Sequence, residues 1–223
     1  MDISRQRRAR QAEVARNDAA LLAAARLVFA REGARASVAA IAEAAGVGVG
    51  TLYRRYTSKT ALFERLLVLA NEQWAAAVER AVANPDPWGG LRALVVESVE
   101  YGQGTLAPLG RLGLAPRGLG DVAVRADAAF GALVVSAHRS GGLRDDVTAT
   151  DILLLIEQLG RSPLVEQIRD LGDEALDAEA YSARRRLIAI ALDGLAAGPR
   201  AGLPSSPPSE RLLAVRWPEE GSG

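Results

Sequence analysis

Residues 37–59 read SVAAIAEAAGVGVGTLYRRYTSK, and their pattern decides the fold of the amino-terminal third of this chain. Ser37 stands where an N-cap is needed, ahead of a short helix whose buried side is Val38, Ile41, Ala42 and Ala45. Gly46 ends that helix in a tight turn. A second short helix begins near Gly48–Val49 and runs through Thr51-Leu52-Tyr53-Arg54-Arg55 to Tyr56. Leu52 and Tyr56 fall four apart and so face the same core. Ser58 caps a longer helix toward Asn84, with a stripe of Leu62, Phe63, Leu66, Leu67, Ala70 and Trp74. Neither serine is followed at the third position by Glu or Gln, so neither forms a capping box. Upstream, Leu21, Leu22, Ala25, Val28 and Phe29 form one stripe of a helix from about Asn17 that Gly33 stops.

Two short helices joined by a tight turn and braced by longer ones can set a helix into the DNA major groove, where base edges are legible. The free amides near Ser37, with its hydroxyl, suit a phosphate. Gly48 and Gly50 remove bulk at the start of the reading helix and let its backbone approach a duplex. Thr51 is the best base reader, by its hydroxyl or by its methyl against thymine. Tyr53 and Arg55 are assigned to phosphates, and Arg54 to either a phosphate or a base edge. Lys59 offers an ammonium where the chain returns to the backbone. Each has a plainer reading: Thr51 stiffening the first turn, Tyr53 packing on the surface, Ser37 only a cap, Lys59 merely solvated.

The charge distribution agrees with a divided molecule. Across 223 residues, 27 basic and 27 acidic side chains cancel. Residues 1–70 nevertheless hold 12 Arg or Lys against 6 Asp or Glu, a net of +6, which leaves −6 on the remainder. Lys59 is the single lysine beside 26 arginines. The absence of cysteine excludes disulfides, thiolate metal sites and cysteine nucleophiles. His138 is the one histidine and cannot build a His-rich metal site alone; no metal and no cofactor are expected. No uncharged apolar run is long enough for a spanning helix, and the first residues lack the apolar stretch of a signal peptide, so no membrane association and a cytoplasmic location are expected.

The boundaries that follow are a basic arm over 1–16, a DNA-binding unit over 17–70 whose last helix continues to about 84, a helical body over 85–198, and a Pro-rich tail over 199–223. In the body, helices are expected at 91–101, 121–138, 149–160 and 183–197, with one short helix within 161–180. Thr148 or Thr150 caps the third of these. Six glycines and two prolines between 102 and 120 leave room for only a short helix around Thr105–Leu112. No segment alternates as a strand, so the fold class is all-α: a three-helix head on a helical body. The tail carries five of the ten prolines and is expected to attach loosely, with Leu212, Leu213, Val215 and Trp217 able to dock.

This head resembles the TetR/AcrR family of one-component transcriptional repressors. The resemblance covers about residues 17–65 and rests on Phe29 to Gly33, on Ile41-Ala42-Glu43-Ala44-Ala45-Gly46-Val47, and on Gly50-Thr51-Leu52-Tyr53-Arg54-Arg55-Tyr56-Thr57-Ser58-Lys59. It implies phosphate contacts at Ser37, Tyr53, Arg55 and Lys59, and places Val49, Gly50 and Thr51 in or against the major groove. Gly48 departs from a frequent serine, and Tyr56 from the usual core phenylalanine, so the Tyr56 hydroxyl needs a partner. Residues 142–213 are similar to the carboxy-terminal domain of the SbtR-like subgroup, through GGLRDDVTATDILLL, RRLIAIALDGLAAG and LPSSPP.

The resemblance further implies a homodimer on a palindromic double-stranded operator and release by a small-molecule effector. The last two long helices would pair across a two-fold axis through Ile152, Leu155, Ile156 and Leu159 on one and Leu187, Ala191 and Leu195 on the other. An effector pocket inside the body would draw on Trp88, Tyr101, Leu106, Leu109, Phe130, Val134 and His138. Competing readings are an activator or dual regulator with the same DNA mode, a helical interaction protein with a degenerate head, and an enzyme. The last finds no support in a phosphate-loop, zinc-protease or nucleophile-elbow motif.

Overall fold

Short polar side chains start five of the helices among the described residues. In the computed structural model, which describes residues 3–102, 120–162, 164–169, 171–199 and 201–214, Ser37 accepts from the Ala40 amide at 3.0 Å and opens α2, Val38–Ala44. Gly46 takes the left-handed conformation (φ 66°) that a residue with a Cβ adopts only at a cost, and turns the chain into α3, Val49–Arg55. Ser58 accepts from the Ala61 amide at 3.0 Å and opens α4, Lys59–Val82. These three pack with α1, Ile3–Glu32, which is followed by a single 3-10 turn at Gly33–Arg35. Leu21, Val28, Phe29, Ile41, Leu52, Leu62 and Phe63 are buried together, with the Phe29 and Phe63 rings edge-to-face at 5.5 Å.

Helix α1 begins much earlier than the sequence pattern predicts. Residues 1–16 read as a polar arm, yet the helix already runs from Ile3. Arg, Gln and Ala are good helix formers without an apolar stripe, so propensity continues a helix that periodicity does not register.

The body comprises α5, Pro87–Tyr101; α6, Gly120–Arg139; α7, Ala149–Gly160; α8, Leu164–Arg169; and α9, Glu174–Leu195. Asp86 caps α5 with Pro87 in its first turn, which starts that helix four residues before the expected 91. Thr148 and Asp151 form a capping box on α7. Asp173 caps α9, which therefore starts nine residues before the expected 183. Leu91, Leu94, Val95, Phe130, Leu133, Ile152, Ile156, Ile188 and Leu192 lie in the body core.

Helix α4 serves both halves. Its first turns place Leu62, Phe63, Leu66 and Leu67 in the head core, and its last turns place Trp74, Ala77, Val78 and Ala81 in the body core. A second link joins them: the Arg26 guanidinium of α1 lies 3.9 Å from the centre of the Tyr101 ring at the end of α5. Burial lowers the Arg26 pKa against an opposing pull from Tyr101, and the nearby charge of Arg184 adds to the lowering.

The chain after α9 is strapped to the body over its first residues. Arg144 binds Asp146 through two nitrogens, at 2.5 and 2.8 Å, and also donates to the carbonyls of Gly194 and Ala201. The Leu203 amide donates to Asp146 at 2.9 Å, and Leu143 bridges to Ala196. A short helix, α10, spans Arg211–Ala214, and Leu212 on it is exposed. Val215 and Trp217 lie outside the described residues. Among the described residues the fold is all-α, with a helix-turn-helix head on a helical body and no strand.

Candidate nucleic-acid interface

Because α3 has only seven residues, its one buried residue, Leu52, anchors it, and most of the others face outward. Gly48, Val49, Gly50, Thr51, Tyr53, Arg54 and Arg55 are all exposed. A Cβ added to Gly48 or Gly50 meets nothing within 4 Å, so both glycines leave an open surface beside the helix rather than a packed one. Gly48 sits at the N-cap without a side-chain cap, which leaves the first amides of α3 without a side-chain acceptor there. Ser37 is exposed at the start of α2. Of the expected reading set, only Lys59 is half-buried; the others are exposed.

Several of these side chains already hold partners inside the chain. Arg54 donates to the Thr51 hydroxyl at 2.9 Å, one turn back along α3. Lys59 donates to the Ala36 carbonyl at 3.1 Å, tying the start of α4 to the approach to α2. Arg55 donates through Nε to Asp18 on α1 at 2.6 Å, and the Tyr56 hydroxyl donates to the same oxygen at 2.9 Å. Tyr56 is therefore half-buried with its hydroxyl satisfied, which answers the demand its replacement of phenylalanine makes.

The electrostatics follow from this cluster. The hydrogen bond from Arg55 holds the Asp18 carboxyl below its ordinary pKa, against a smaller opposing push from burial. Burial, then the hydrogen bond to Asp18, raises Tyr56 to about 12. Asp18 was not legible as a site residue: its contacts lie 37 and 38 residues away in sequence, and no local spacing marks it.

The expected effector lining is divided by the structure. Phe130 meets Trp74 edge-to-face at 5.3 Å, and both it and Val134 are buried in the body core. Trp88 packs over Gly142 near the start of α5, and His138 bonds the Val147 carbonyl at 3.0 Å. Tyr101 lies at the opposite end of α5, about 20 Å from Trp88 at 1.5 Å per residue. Leu106 and Leu109 lie outside the described residues. Tyr101 borders a narrow crevice with Gln73, Trp74, Ala77, Glu97 and Ser98. A groove of about 380 Å³ lies between Glu100, Tyr181, Arg184, Arg185 and Ile188. Among the described residues, no group of three or more His, Cys, Asp or Glu is placed to hold a metal ion, and no helix is long and apolar enough to cross a membrane.

The expected pairing residues also separate. Ile152 and Ile156 are 0% and 2% exposed, inside the chain's own core, and Leu195 is buried. Leu155, Leu159 and Ala191 are half-buried. Leu187 is 47% exposed on α9, and Ile190, absent from the expected set, is 59% exposed.

Residues 21–66 match the family model described as bacterial regulatory proteins, tetR family. A TetR transcriptional regulator of Streptomyces coelicolor is 29% identical, with 82% of this chain and 99% of that chain covered and a TM-score of 0.48. The ketosteroid transcriptional regulator KstR2 of Mycobacterium tuberculosis is 23% identical, with 82% of this chain and 96% of that chain covered and a TM-score of 0.56, a likeness of fold. A TetR transcription regulatory protein of Mycobacterium vanbaalenii is 26% identical, covering 83% and 98%, with a TM-score of 0.45. No curated protein matches the chain.

Proposed function

We propose that this chain is a sequence-specific, TetR-type transcriptional regulator: a repressor that occupies a palindromic operator as a homodimer and leaves it when a small molecule binds the body. The observation that carries the reading is the outer face of α3. Seven consecutive positions from Gly48 to Arg54 include one buried side chain, two glycines with open space at Cβ, and two residues, Thr51 and Arg54, able to address base edges. Ser37 and Lys59, brought together where Lys59 bonds the Ala36 carbonyl, and Arg55 at the end of α3 are the proposed backbone contacts that hold the helix in the groove.

A single short helix reads few bases, and a two-fold pair doubles them over half-sites about 34–36 Å apart. The surface proposed for pairing is the part of α9 that carries the exposed Leu187 and Ile190 and the half-buried Ala191, with the half-buried Leu155 and Leu159 of α7 as its expected second contribution. The effector is proposed to act beside Tyr101, where the body is closed to a ligand as it stands, because Tyr101 carries the stacked contact from Arg26 of the head. A ligand that displaces Tyr101 acts on α1 directly, and the coupling has the sign of whichever head position it favours.

Footprinting of purified protein across genomic DNA tests the reading. The expected result is protection of a small number of sites with inverted half-sites, and the neighbouring genes then narrow the effector class. Uniform protection without a shared sequence, from a correctly folded protein, overturns sequence-specific regulation and favours a helical interaction protein with a degenerate head.

A further inference from the structure

We propose that Asp18 is a positioning residue for DNA binding: it grips Arg55 by Nε and so aims the terminal guanidinium nitrogens at a backbone phosphate. The proposal rests on reading α3 as the DNA-contacting helix and names the device that sets one of its flanking contacts. Arg55 is the last residue of a seven-residue helix, a place where a long side chain would otherwise sample many rotamers. Asp18 sits on α1, whose next turns carry the buried Leu21, Leu22 and Ala25 of the head core, so the helix that presents its carboxylate is seated independently of α3. The two meet at 2.6 Å through Nε, and the Tyr56 hydroxyl lies near enough to the same guanidinium to interact with it from the inner side of the cluster.

The exposure gradient agrees with an aimed group. The Arg55 side chain is 40% exposed and that of Asp18 is 22%, so the carboxylate lies on the inner side of the pair and the guanidinium on the outer. Tyr56 donates to the same Asp18 oxygen, which fixes the carboxylate from a second direction and leaves it acceptor-only toward Arg55. A guanidinium presents five donors in a planar fork, so binding one of them behind leaves a pair able to meet a phosphate in front. The charge of Asp18 itself opposes a phosphate, and that cost has to be separated from the aiming effect by experiment.

A double-mutant cycle separates them. Binding of a footprinted duplex is measured by fluorescence anisotropy for the unaltered protein, Asp18→Asn, Arg55→Ala and the double variant, at temperatures where all are folded by circular dichroism. Asp18→Asn is expected to weaken binding about threefold to tenfold when Arg55 is present, the cost of ordering one long side chain at an interface. With Arg55→Ala it is expected to leave binding unchanged or tighten it, because only the opposing charge is then removed. In the free protein, NMR relaxation of the Arg55 Nε–H group is expected to show loss of order in Asp18→Asn, which a purely structural role for Asp18 would not produce.

Equal weakening in both backgrounds overturns the proposal, as does tighter binding of Asp18→Asn with Arg55 present, which would make Asp18 a restraint. Tyr56→Phe keeps the Asp18–Arg55 contact and is expected to bind within twofold of the unaltered protein; a loss as large as that of Asp18→Asn assigns the effect to packing of α1 on α3. If Asp18→Asn does not fold, Asp18→Glu takes its place: its longer carboxylate is expected to give an intermediate loss that again vanishes with Arg55→Ala. Loss of binding in Lys59→Ala and Tyr53→Ala with none in Arg55→Ala removes this role of Asp18 while leaving the DNA-binding reading intact. No loss in any of the three overturns both.

Discussion

Lys59 joins two duties in one side chain. Its ammonium bonds the Ala36 carbonyl at 3.1 Å while standing beside the proposed phosphate path. Lys59→Ala is therefore expected to lower head stability by about 1 kcal/mol, the usual worth of one hydrogen bond, read by thermal melting. The same change is expected to weaken binding to all duplexes and to flatten the salt dependence by about one phosphate's share of the slope. Asp18 supplies a pH signature. Its folded pKa is depressed, so its stabilisation is present above the ordinary value of 3.8 and is lost as the pH falls through the lower folded value. Tyr56 works in the opposite range: its folded pKa is raised, so its contribution is full below about pH 10 and is lost as the pH rises through about 12. Melting temperatures across pH are expected to lose the acid limb of this dependence in Asp18→Asn and the alkaline limb in Tyr56→Phe. At this scale the sequence was legible where the physics is local. Ser37, Gly46 and Ser58 each act within four residues of their own position, whereas the Asp18 cluster depends on how α1 lies across α3.

Helix by helix, glycines separate folding from recognition. Gly46 has φ 66°, so Gly46→Ala is expected to cost about 1–2 kcal/mol of head stability. Gly50 lies inside α3 with open space at Cβ, so Gly50→Ala is expected to stabilise the head by about 0.5–1 kcal/mol. The same methyl stands where the helix is proposed to meet the duplex, and operator affinity is expected to fall as stability rises. Equal or better operator binding by Gly50→Ala in the anisotropy assay would remove the close approach. The short helices α2 and α3 were readable because each keeps a stripe between a cap and a glycine. The early starts of α1 and α9 were not, because Ile3–Asn17 has no apolar stripe and the first turns of α9 expose Leu176 rather than bury it. In both cases helix-forming residues and, for α9, the Asp173 cap carry the helix where periodicity is silent.

For the molecule as a whole, the partition of charge between a basic head and an acidic body was visible in the counts, and so was the two-part helical architecture. Which apolar residues face outward was not. Ile152 and Leu187 lie on equally good helical stripes, and only the packing of α7 on α5 decides that the first is interior and the second is surface. Leu187→Glu with Ile190→Glu is expected to leave the protomer's melting temperature nearly unchanged, since both side chains are solvent-exposed before pairing. The same pair is expected to convert a dimer to a monomer in sedimentation velocity and to reduce operator affinity at least tenfold (about 1.4 kcal/mol) as the second half-site is lost. A variant that remains dimeric places the two-fold contact elsewhere.

The sharing of α4 between the two cores makes that helix a lever. At 24 residues it is about 36 Å long, seated at one end among Leu62, Phe63 and Leu66 and at the other among Trp74, Val78 and Ala81. A tilt of only about 5° at the body end carries the far end through about 3 Å, close to the rise of one base pair along a duplex. In the proposed dimer two such arms share an axis, and an angular change of that size is expected to put the pair of reading helices out of step with successive turns of DNA.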